Sequence, residues 1–196
     1  SKGNDNTADS ADQTGASGDI TILSREDGSG TRGAFVELFG IEEKDADGNK
    51  VDMTTEDAKI TNSTSVMMTT VAGDVNSLGY ISLGSLNDTV TVVKIDGVEA
   101  TADNVSNGTY KIARPFNIAT KGEPTGVAAD FMNFILSADG QAIIEDKGYI
   151  AVNDAAEAFT SDGSSGQISV GGSSSVSPVM EKLIDAYKSV NPNATI

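Results

Sequence analysis

One glycine-rich segment carries the side chains best suited to holding a ligand, with the sequence SREDGSGTR at residues 24–32, called the anion loop below. Its glycines let backbone N–H groups approach a ligand closely, and a helix that follows points its positive N-terminal end at the same place. Ser29 and Thr31 add hydroxyl donors, and the planar guanidinium of Arg25 suits phosphate or carboxylate oxygens. The loop therefore predicts an oxyanion site, although a helix-capping turn with a solvated arginine would use the same residues.

The spacing within the anion loop separates it from the common nucleotide-binding motifs. It does not end in the Gly-Lys-Ser/Thr of a Walker A loop, and it does not have the G-x-G-x-x-G spacing. Asp27 lies two residues after Arg25 and is placed to hold the guanidinium in one orientation. The prediction from these residues is therefore an oxyanion, held by an arginine that a carboxylate supports.

A second turn of similar type lies near the C-terminus, where a β-prone run at 168–170 precedes GGSSS at 171–175. A helix pattern follows, with Pro178 in its first turn, where the missing N–H costs nothing. By itself this turn offers hydroxyl and N–H donors without a cation, and helix capping is its more common role. Two such turns in one chain suit a cleft in which two helix ends converge on one anion.

Strand, turn and helix patterns alternate along the chain and predict an α/β fold. A β-prone run at 20–23 precedes the anion loop. Helical periodicity predicts further helices at 33–40, 62–71, 127–135, 137–148 and 176–187. Strands are predicted at 78–83, 110–120 and 194–196, with a hairpin around Asp96 and Gly97.

The composition excludes many kinds of protein. With 13 Lys+Arg against 29 Asp+Glu, the formal net charge is −16, which argues against nucleic-acid binding and a basic membrane-binding patch. The chain has 0 Cys and 0 His, which excludes thiol chemistry, structural zinc and Ser-His or Cys-His catalytic pairs. A phosphatase or phosphotransferase using the same loop would lack these nucleophiles, and no acidic metal motif stands out. We expect a binding protein rather than an enzyme, with no cofactor and no metal.

Several longer runs resemble a known family. ILSREDGSGTRGAFVELFGI resembles the phosphate-binding proteins that serve phosphate ABC transporters, in their Gram-positive lipoprotein form. NSLGYISLGSL, YKIARPFNIATKG and FMNFILSADGQAIIEDKGYI resemble later parts of the family, in the family's order. GQISVGGSSSVSPVMEKLIDAYKSVNPNATI resembles the family's beginning, yet here it comes last. The resemblance implies a two-lobed α/β architecture of the periplasmic-binding-protein-like type II, in a permuted or incomplete form.

The resemblance also divides the chain. Residues 19–161 resemble the family's C-terminal part, 162–166 form a linker, and 167–196 resemble its N-terminal strand-turn-helix. Residues 1–18 contain no large apolar residue and are predicted to be a disordered tether. In the family, the segment after the position of Ile196 carries a phosphate-contacting Ser and an Asp that accepts the phosphate's proton. We expect that segment to be missing, which makes complementation by a second chain a further expectation.

Residue by residue, the resemblance implies a set of ligand contacts. The phosphate-binding positions are Arg25, Ser29, Gly30, Thr31 and Ser174. Asp27 is the implied support of the arginine. After a one-residue shift, Ser173 or Ser175 would serve in place of Ser174.

The function implied by the resemblance is capture of inorganic phosphate for an ABC importer, with delivery to membrane permease subunits. The implied location is the extracellular face of the cytoplasmic membrane, with a lipid anchor. Two alternatives stay open. A rearranged or partial homologue would act as a surface adhesin or phosphate sensor, and a phosphoryl-processing enzyme would use the same loop.

Overall fold

The computed structural model of the chain describes residues 18–153 and 155–196, so the predicted tether lies outside the described residues except for Gly18. The helices are α1 (Gly30–Leu38), α2 (Thr64–Gly73), α3 (Ala102–Ser106), α4 (Val127–Leu136), α5 (Ala138–Asp146) and α6 (Ser177–Val190). The strands are β1 (Thr21–Arg25), β2 (Glu42–Lys44), β3 (Lys50–Asp52), β4 (Lys59–Thr61), β5 (Ser77–Leu78), β6 (Gly166–Gln167) and β7 (Ala194–Thr195). No helix in these described ranges is long and apolar enough to cross a membrane.

A three-stranded parallel sheet in the order β4-β1-β5 positions the anion loop. The central strand β1 pairs with β4 along its C-terminal half and with β5 along its N-terminal half. Helix α1 contacts β1, and α2 contacts β4 and β5, with Leu23, Val36 and Met67 buried. Because the carboxyl ends of parallel strands lie at one edge of a sheet, the segments that follow β1 and β4 come together there.

Helices α4, α5 and α6 form a second unit with the larger apolar core. Their amphipathic patterns bury one face of each of α4 and α6, and the short parallel pair β6-β7 closes the unit. The core consists of Val127, Phe131, Phe134, Ile135, Tyr149, Val179, Leu183, Tyr187 and Ala194. This unit carries the second predicted turn at the start of α6, so the two units together position both turns.

A buried carboxylate ties the predicted linker 162–166 to this core. Asp130 of α4 accepts hydrogen bonds from Tyr187 Oη at 2.7 Å, Asn191 Nδ2 at 3.2 Å, Ser161 Oγ at 2.7 Å and the Asp162 backbone N–H at 3.0 Å. Burial acts to raise the pKa of Asp130, but these hydrogen bonds outweigh it and lower the pKa below its ordinary value. The start of the linker is therefore anchored between α4 and α6.

Most of the predicted helices are confirmed, with shifts at their ends. Ser137 caps α5 by accepting from the Gly140 N–H at 3.3 Å, and Gly148 follows α5 with a φ of 76°. Helix α6 contains Pro178 in its first turn, and it buries Leu183 and Tyr187 as predicted. The α/β prediction is confirmed in both units.

Two strand predictions are wrong. Residues 110–120 form no strand: nearly all of them are exposed, no described strand lies beside them in a ladder, and Pro115 has no N–H to donate. The strand predicted at 78–83 is reduced to Ser77–Leu78, because the chain then turns into a 3₁₀ segment at Leu83–Ser85. Asp96 and Gly97 do form the predicted turn, with φ values of 51° and 78°, but only an isolated bridge flanks it.

Candidate anion-binding site

The two predicted turns meet in a pocket of about 440 Å³ at the carboxyl end of β1. Backbone and side-chain groups of both turns form its wall, and the first unit contributes the arginine. The lining residues are Arg25, Glu26, Gly28, Ser29, Gly30, Gly172, Ser173 and Ser174. The pocket therefore contains most of the residues that the sequence predicts for an oxyanion.

Arg25 is the central residue, and it is only 1% exposed. Its Nε and Nη2 donate to the two carboxylate oxygens of Glu26 at 2.7 and 2.9 Å. Nη2 also donates to Ser174 Oγ at 3.1 Å, and Nη1 donates to Thr64 Oγ1 at 3.3 Å. Because a buried charge is costly unless it is paired and hydrogen-bonded, these contacts hold the guanidinium in one place.

The carboxylate that supports Arg25 is Glu26, and the prediction that Asp27 does so does not match the structure. The Arg25 hydrogen bonds lower the pKa of Glu26, because they favour its charged form. Asp27 accepts instead from Arg32 Nη1 at 2.9 Å, and its side chain is almost fully exposed. At the end of β1 the side chain of the adjacent residue reaches the guanidinium, whereas Asp27 already lies in the turn that leads to α1.

Arg32 closes the anion loop from the far side. Its Nη1 donates to the backbone carbonyl of Arg25 at 2.9 Å as well as to Asp27, and its Nε donates to Asp52 of β3 at 2.7 Å. A side chain of α1 therefore connects the start of the loop to its end through hydrogen bonds. Arg32 is outside the pocket lining, and it supports the loop backbone rather than the pocket wall.

The N-terminus of α1 faces the pocket through Ser29 and Gly30. Ser29 is the N-cap of α1 and its Oγ accepts from the Arg32 N–H at 3.3 Å, so the capping role considered for this loop is present. Gly28 has a φ of 80°, a left-handed conformation that favours glycine and turns the chain into α1. Capping by Ser29 leaves other donors of α1 available, since N–H groups of the first helical turn that lack an intrahelical partner still point outwards.

The second turn supplies hydroxyls from the other unit. Ser174 Oγ contacts Arg25 and lies 3.2 Å from Thr64 Oγ1. Ser175 is 1% exposed, its hydroxyl contacts that of Thr31, and its carbonyl accepts from Tyr149 Oη at 2.5 Å. Ser173 lines the pocket and accepts from the Ser175 N–H at 3.2 Å. Of the three serines, Ser174 is the one that reaches the arginine.

The sequence-based prediction missed two residues at this site, Thr64 and Tyr80. Thr64 is the first residue of α2 and lies between Arg25 and Ser174. Its signal was the Asn-Ser-Thr capping cluster directly after a strand that is parallel to β1, which brings the start of α2 to the same edge. Tyr80 contacts the end of β1 from beyond β5, and no local pattern indicates this contact.

The fold and the site define an α/β protein in which hydrogen-bond donors from two units surround one small pocket. Comparison with known proteins agrees with this class. A sequence profile described as the PBP superfamily domain matches residues 4–139. The chain belongs to the PBP superfamily.

Within this superfamily, the chain is similar to proteins named for phosphate binding. The phosphate-binding protein PstS 2 of Streptococcus agalactiae is 55% identical over 180 residues, covering 91% of this chain and 61% of that protein. A crystal structure of a phosphate ABC transporter phosphate-binding protein from Streptococcus pneumoniae is 47% identical, with a TM-score of 0.76, covering 91% of this chain and 69% of that one. A crystal structure of a phosphate ABC transporter substrate-binding protein with bound phosphate from Clostridium perfringens is 41% identical, with a TM-score of 0.61. The match covers 68% of this chain and 52% of that one. The chain thus spans 61% of the length of the Streptococcus agalactiae relative.

The Streptococcus agalactiae alignment also concerns the order of segments. Such an alignment keeps the residue order of both proteins, and its 91% coverage leaves too few residues outside to exclude either Arg25 or Ser174. The relative therefore carries the counterpart of the second turn after the counterpart of the anion loop. The order of the two turns that the sequence analysis expects to be permuted is the same in this relative.

Proposed function

We propose that this chain is part of a solute-binding protein that captures inorganic phosphate for an ABC importer. The observation that carries the proposal is the buried guanidinium of Arg25, enclosed by acceptors and placed where two turns and the start of α1 form one pocket. A phosphate ion loses its hydration shell on binding, and fixed N–H, O–H and guanidinium donors replace it. The named relatives support phosphate as the anion.

The proposed ligand contacts are those of the anion loop and the second turn. The guanidinium of Arg25 and the Ser174 hydroxyl lie 3.1 Å apart, so one anion can receive hydrogen bonds from both. Ser29, Gly30 and Thr31 add hydroxyl and N–H donors from the start of α1. Ser173 is placed to add a further hydroxyl, and Ser175 supports the turn from its buried position.

The proposed setting follows from the relatives named as components of phosphate ABC transporters. The partners are inorganic phosphate and the membrane permease subunits that receive it. The proposed location is the extracellular face of the cytoplasmic membrane, with a lipid anchor in the precursor. Binding and release complete this function without a chemical step, so we propose no enzymatic activity.

The test is calorimetric titration of the phosphate-stripped chain with phosphate, with and without sulfate as competitor. We expect saturable binding at one site, since the pocket accommodates one small anion. Resistance to sulfate would support a phosphate receptor. Weak binding of both phosphate and sulfate, with equal competition between them, would instead support the alternative of a rearranged or partial homologue whose site is incomplete.

The absence of a saturable signal with phosphate would contradict the proposal for this chain. A matched control is the Arg114→Ala variant, which removes one positive charge from an exposed arginine paired with Glu37, outside the pocket lining. It should bind phosphate as the parent does, because exposed ion pairs contribute little to distant sites.

A further inference from the structure

Tyr80 connects the elements on both sides of the anion loop. Its Oη lies 2.8 Å from Ser24 Oγ and accepts a hydrogen bond from the Arg25 backbone N–H at 3.0 Å. Its ring stacks on Phe35 of α1, with the ring centroids 4.0 Å apart and the planes at 6°. One side chain therefore contacts the last residues of β1 and the helix that begins after the loop.

The position of Tyr80 follows from the short pairing of β5. Strand β5 pairs only with Thr21 and Ile22, so beyond Ile22 this edge of β1 has no ladder partner among the described strands. A buried N–H without a partner is costly, and the phenol oxygen accepts the Arg25 N–H where a strand carbonyl would otherwise do so. Because the phenol oxygen accepts from nitrogen, its own proton is available to Ser24 Oγ.

Gly79 allows the chain to reach this position. A Cβ at residue 79 would lie 2.5 Å from Met67 Sδ and 3.2 Å from Val71 Cγ2 of α2. The backbone therefore passes close over α2 before Tyr80 turns toward β1. Three consecutive residues therefore have three roles: Leu78 ends β5, Gly79 lets the backbone pass close to α2, and Tyr80 contacts the end of β1.

We propose that Tyr80 is a positioning residue for the anion site, which sets the backbone of Arg25 and the direction of α1 together. The proposal rests on the proposed phosphate function and extends it. Arg25 is held at its carbonyl by Arg32 and at its guanidinium by Glu26, Ser174 and Thr64. The phenol of Tyr80 is the constraint on its N–H. Loss of one constraint displaces the donors without removing any of them.

The test compares Tyr80→Phe with Tyr110→Phe in phosphate titrations. Tyr80→Phe keeps the ring that stacks on Phe35 and deletes only the hydroxyl. We expect phosphate to bind roughly 3- to 10-fold more weakly, as for the loss of one hydrogen bond to a partly buried group. Tyr110→Phe, outside the pocket lining, should bind as the parent does.

Intrinsic fluorescence provides a readout that a general loss of stability would not reproduce. The chain has 4 Tyr and 0 Trp, so tyrosine emission is observed directly. We expect phosphate to change the emission of the parent and of both variants, with half-saturation at a higher phosphate concentration in Tyr80→Phe than in Tyr110→Phe. The midpoint is compared because each variant lacks one emitting tyrosine.

The outcomes separate this proposal from the proposed function. If the parent does not bind phosphate, the proposed function fails. If the parent binds and Tyr80→Phe binds equally well, with the same midpoint of the emission change, the role of Tyr80 is contradicted. If Tyr80→Phe does not fold, Ser24→Ala tests the same group, since it removes the other partner of the phenol. Weaker phosphate binding by a folded Ser24→Ala would support the proposal, and unchanged binding would oppose it.

Discussion

At the scale of single residues, the site is built around one arginine that the protein encloses. A guanidinium that is 1% exposed requires acceptors inside the protein, and Glu26, Ser174 and Thr64 provide them. These acceptors come from the residue that follows β1, from the turn before α6 and from the start of α2. The arginine therefore joins three segments that are distant in sequence, and each contact can be tested by a small substitution.

Thr64 is expected to hold Arg25 and Ser174 in register. Thr64→Val keeps the shape of the side chain and removes the hydroxyl, and we expect phosphate affinity to fall roughly 3- to 10-fold. Thr64→Ser restores the hydroxyl and should recover most of the affinity. Thr69→Val, at an exposed position of the same helix, is the matched control in the calorimetric titration. Equal binding by Thr64→Val and the parent would show that this contact is dispensable.

The two acidic residues of the anion loop should differ in their effect on stability. Glu26→Gln leaves the buried guanidinium of Arg25 without a counter-charge, and we expect a loss of about 1–3 kcal/mol in the free energy of unfolding. Asp27→Asn removes an exposed partner of Arg32 and should change that free energy by less than about 0.5 kcal/mol. Urea unfolding of both variants provides the comparison. A larger loss of unfolding free energy in Asp27→Asn than in Glu26→Gln would indicate that Asp27, not Glu26, supports Arg25.

The sequence predicted part of this site because part of it is local. Arg25, Ser29 and Gly30 lie in one loop whose residue types indicate an oxyanion, and the Ser-rich turn before α6 has the same character. Thr64 and Tyr80 were not predicted, since their roles depend on strand pairing that brings distant segments to the end of β1. The choice of Glu26 over Asp27 depends on where β1 ends, which residue spacing does not determine.

At the scale of elements, helix starts provide the donors and the sheet provides their alignment. The first residues of α1 and α2 contact the turn that precedes α6: the Thr31 hydroxyl contacts that of Ser175, and Thr64 Oγ1 lies 3.2 Å from Ser174 Oγ. Unpaired N–H groups and the positive end of the helix dipole make such positions suitable for an anion. The order β4-β1-β5 brings the starts of α1 and α2 to the same edge.

The prediction of elements succeeded where periodicity was strong. Helices α4 and α6 have continuous apolar faces, so their burial is determined largely within the segment. Strands 78–83 and 110–120 were predicted from β-prone residues, but a strand forms only where a partner offers a ladder. Beyond Leu78 the phenol of Tyr80, rather than a strand carbonyl, accepts the Arg25 N–H of β1. Residues 110–120 have no pairing partner among the described strands.

The Asp130 network should make the second unit sensitive to acid. The lowered pKa of Asp130 means that its stabilising contribution is complete above the ordinary pKa of 3.8 and is lost as the pH falls through the lowered folded value. Asp130→Asn should lower the free energy of unfolding by about 2–4 kcal/mol at neutral pH, because it places an amide donor against the donors of Tyr187 and Asn191. It should also weaken the acid dependence.

Urea unfolding at a series of pH values, from neutral to below the ordinary pKa of 3.8, follows the loss of this contribution. Asp185→Asn, at an exposed position of α6, is the control and should follow the parent. A pH dependence in Asp130→Asn identical to that of the parent would contradict the assignment.

At the scale of the whole molecule, two units contribute different residues to one candidate site. The first unit carries Arg25 and the start of α1, and the second carries Ser174 and the larger core. The chain has a formal net charge of −16, although its pocket is proposed to bind an anion. Local donors decide affinity, whereas the overall field acts on the rate at which a charged ligand arrives.

Salt should therefore accelerate the association of phosphate. Added NaCl shortens the Debye length from about 30 Å at 0.01 M to about 8 Å at 0.15 M, which screens the repulsion between phosphate and the acidic surface. We expect the association rate, measured by stopped-flow tyrosine fluorescence, to rise with salt over this range. A rate that falls with salt would indicate that a local positive field steers the anion despite the net charge.

In the proposed function, Arg25 is the main charged donor to the bound phosphate. The most direct measurement is the calorimetric phosphate affinity of Arg25→Ala beside that of Arg114→Ala, since both variants remove one positive charge. We expect an affinity loss of roughly 100-fold or more for Arg25→Ala, because a charge-assisted contact in a buried site is removed, and little change for Arg114→Ala. Equal phosphate affinities of the folded Arg25→Ala variant and the parent would contradict this role.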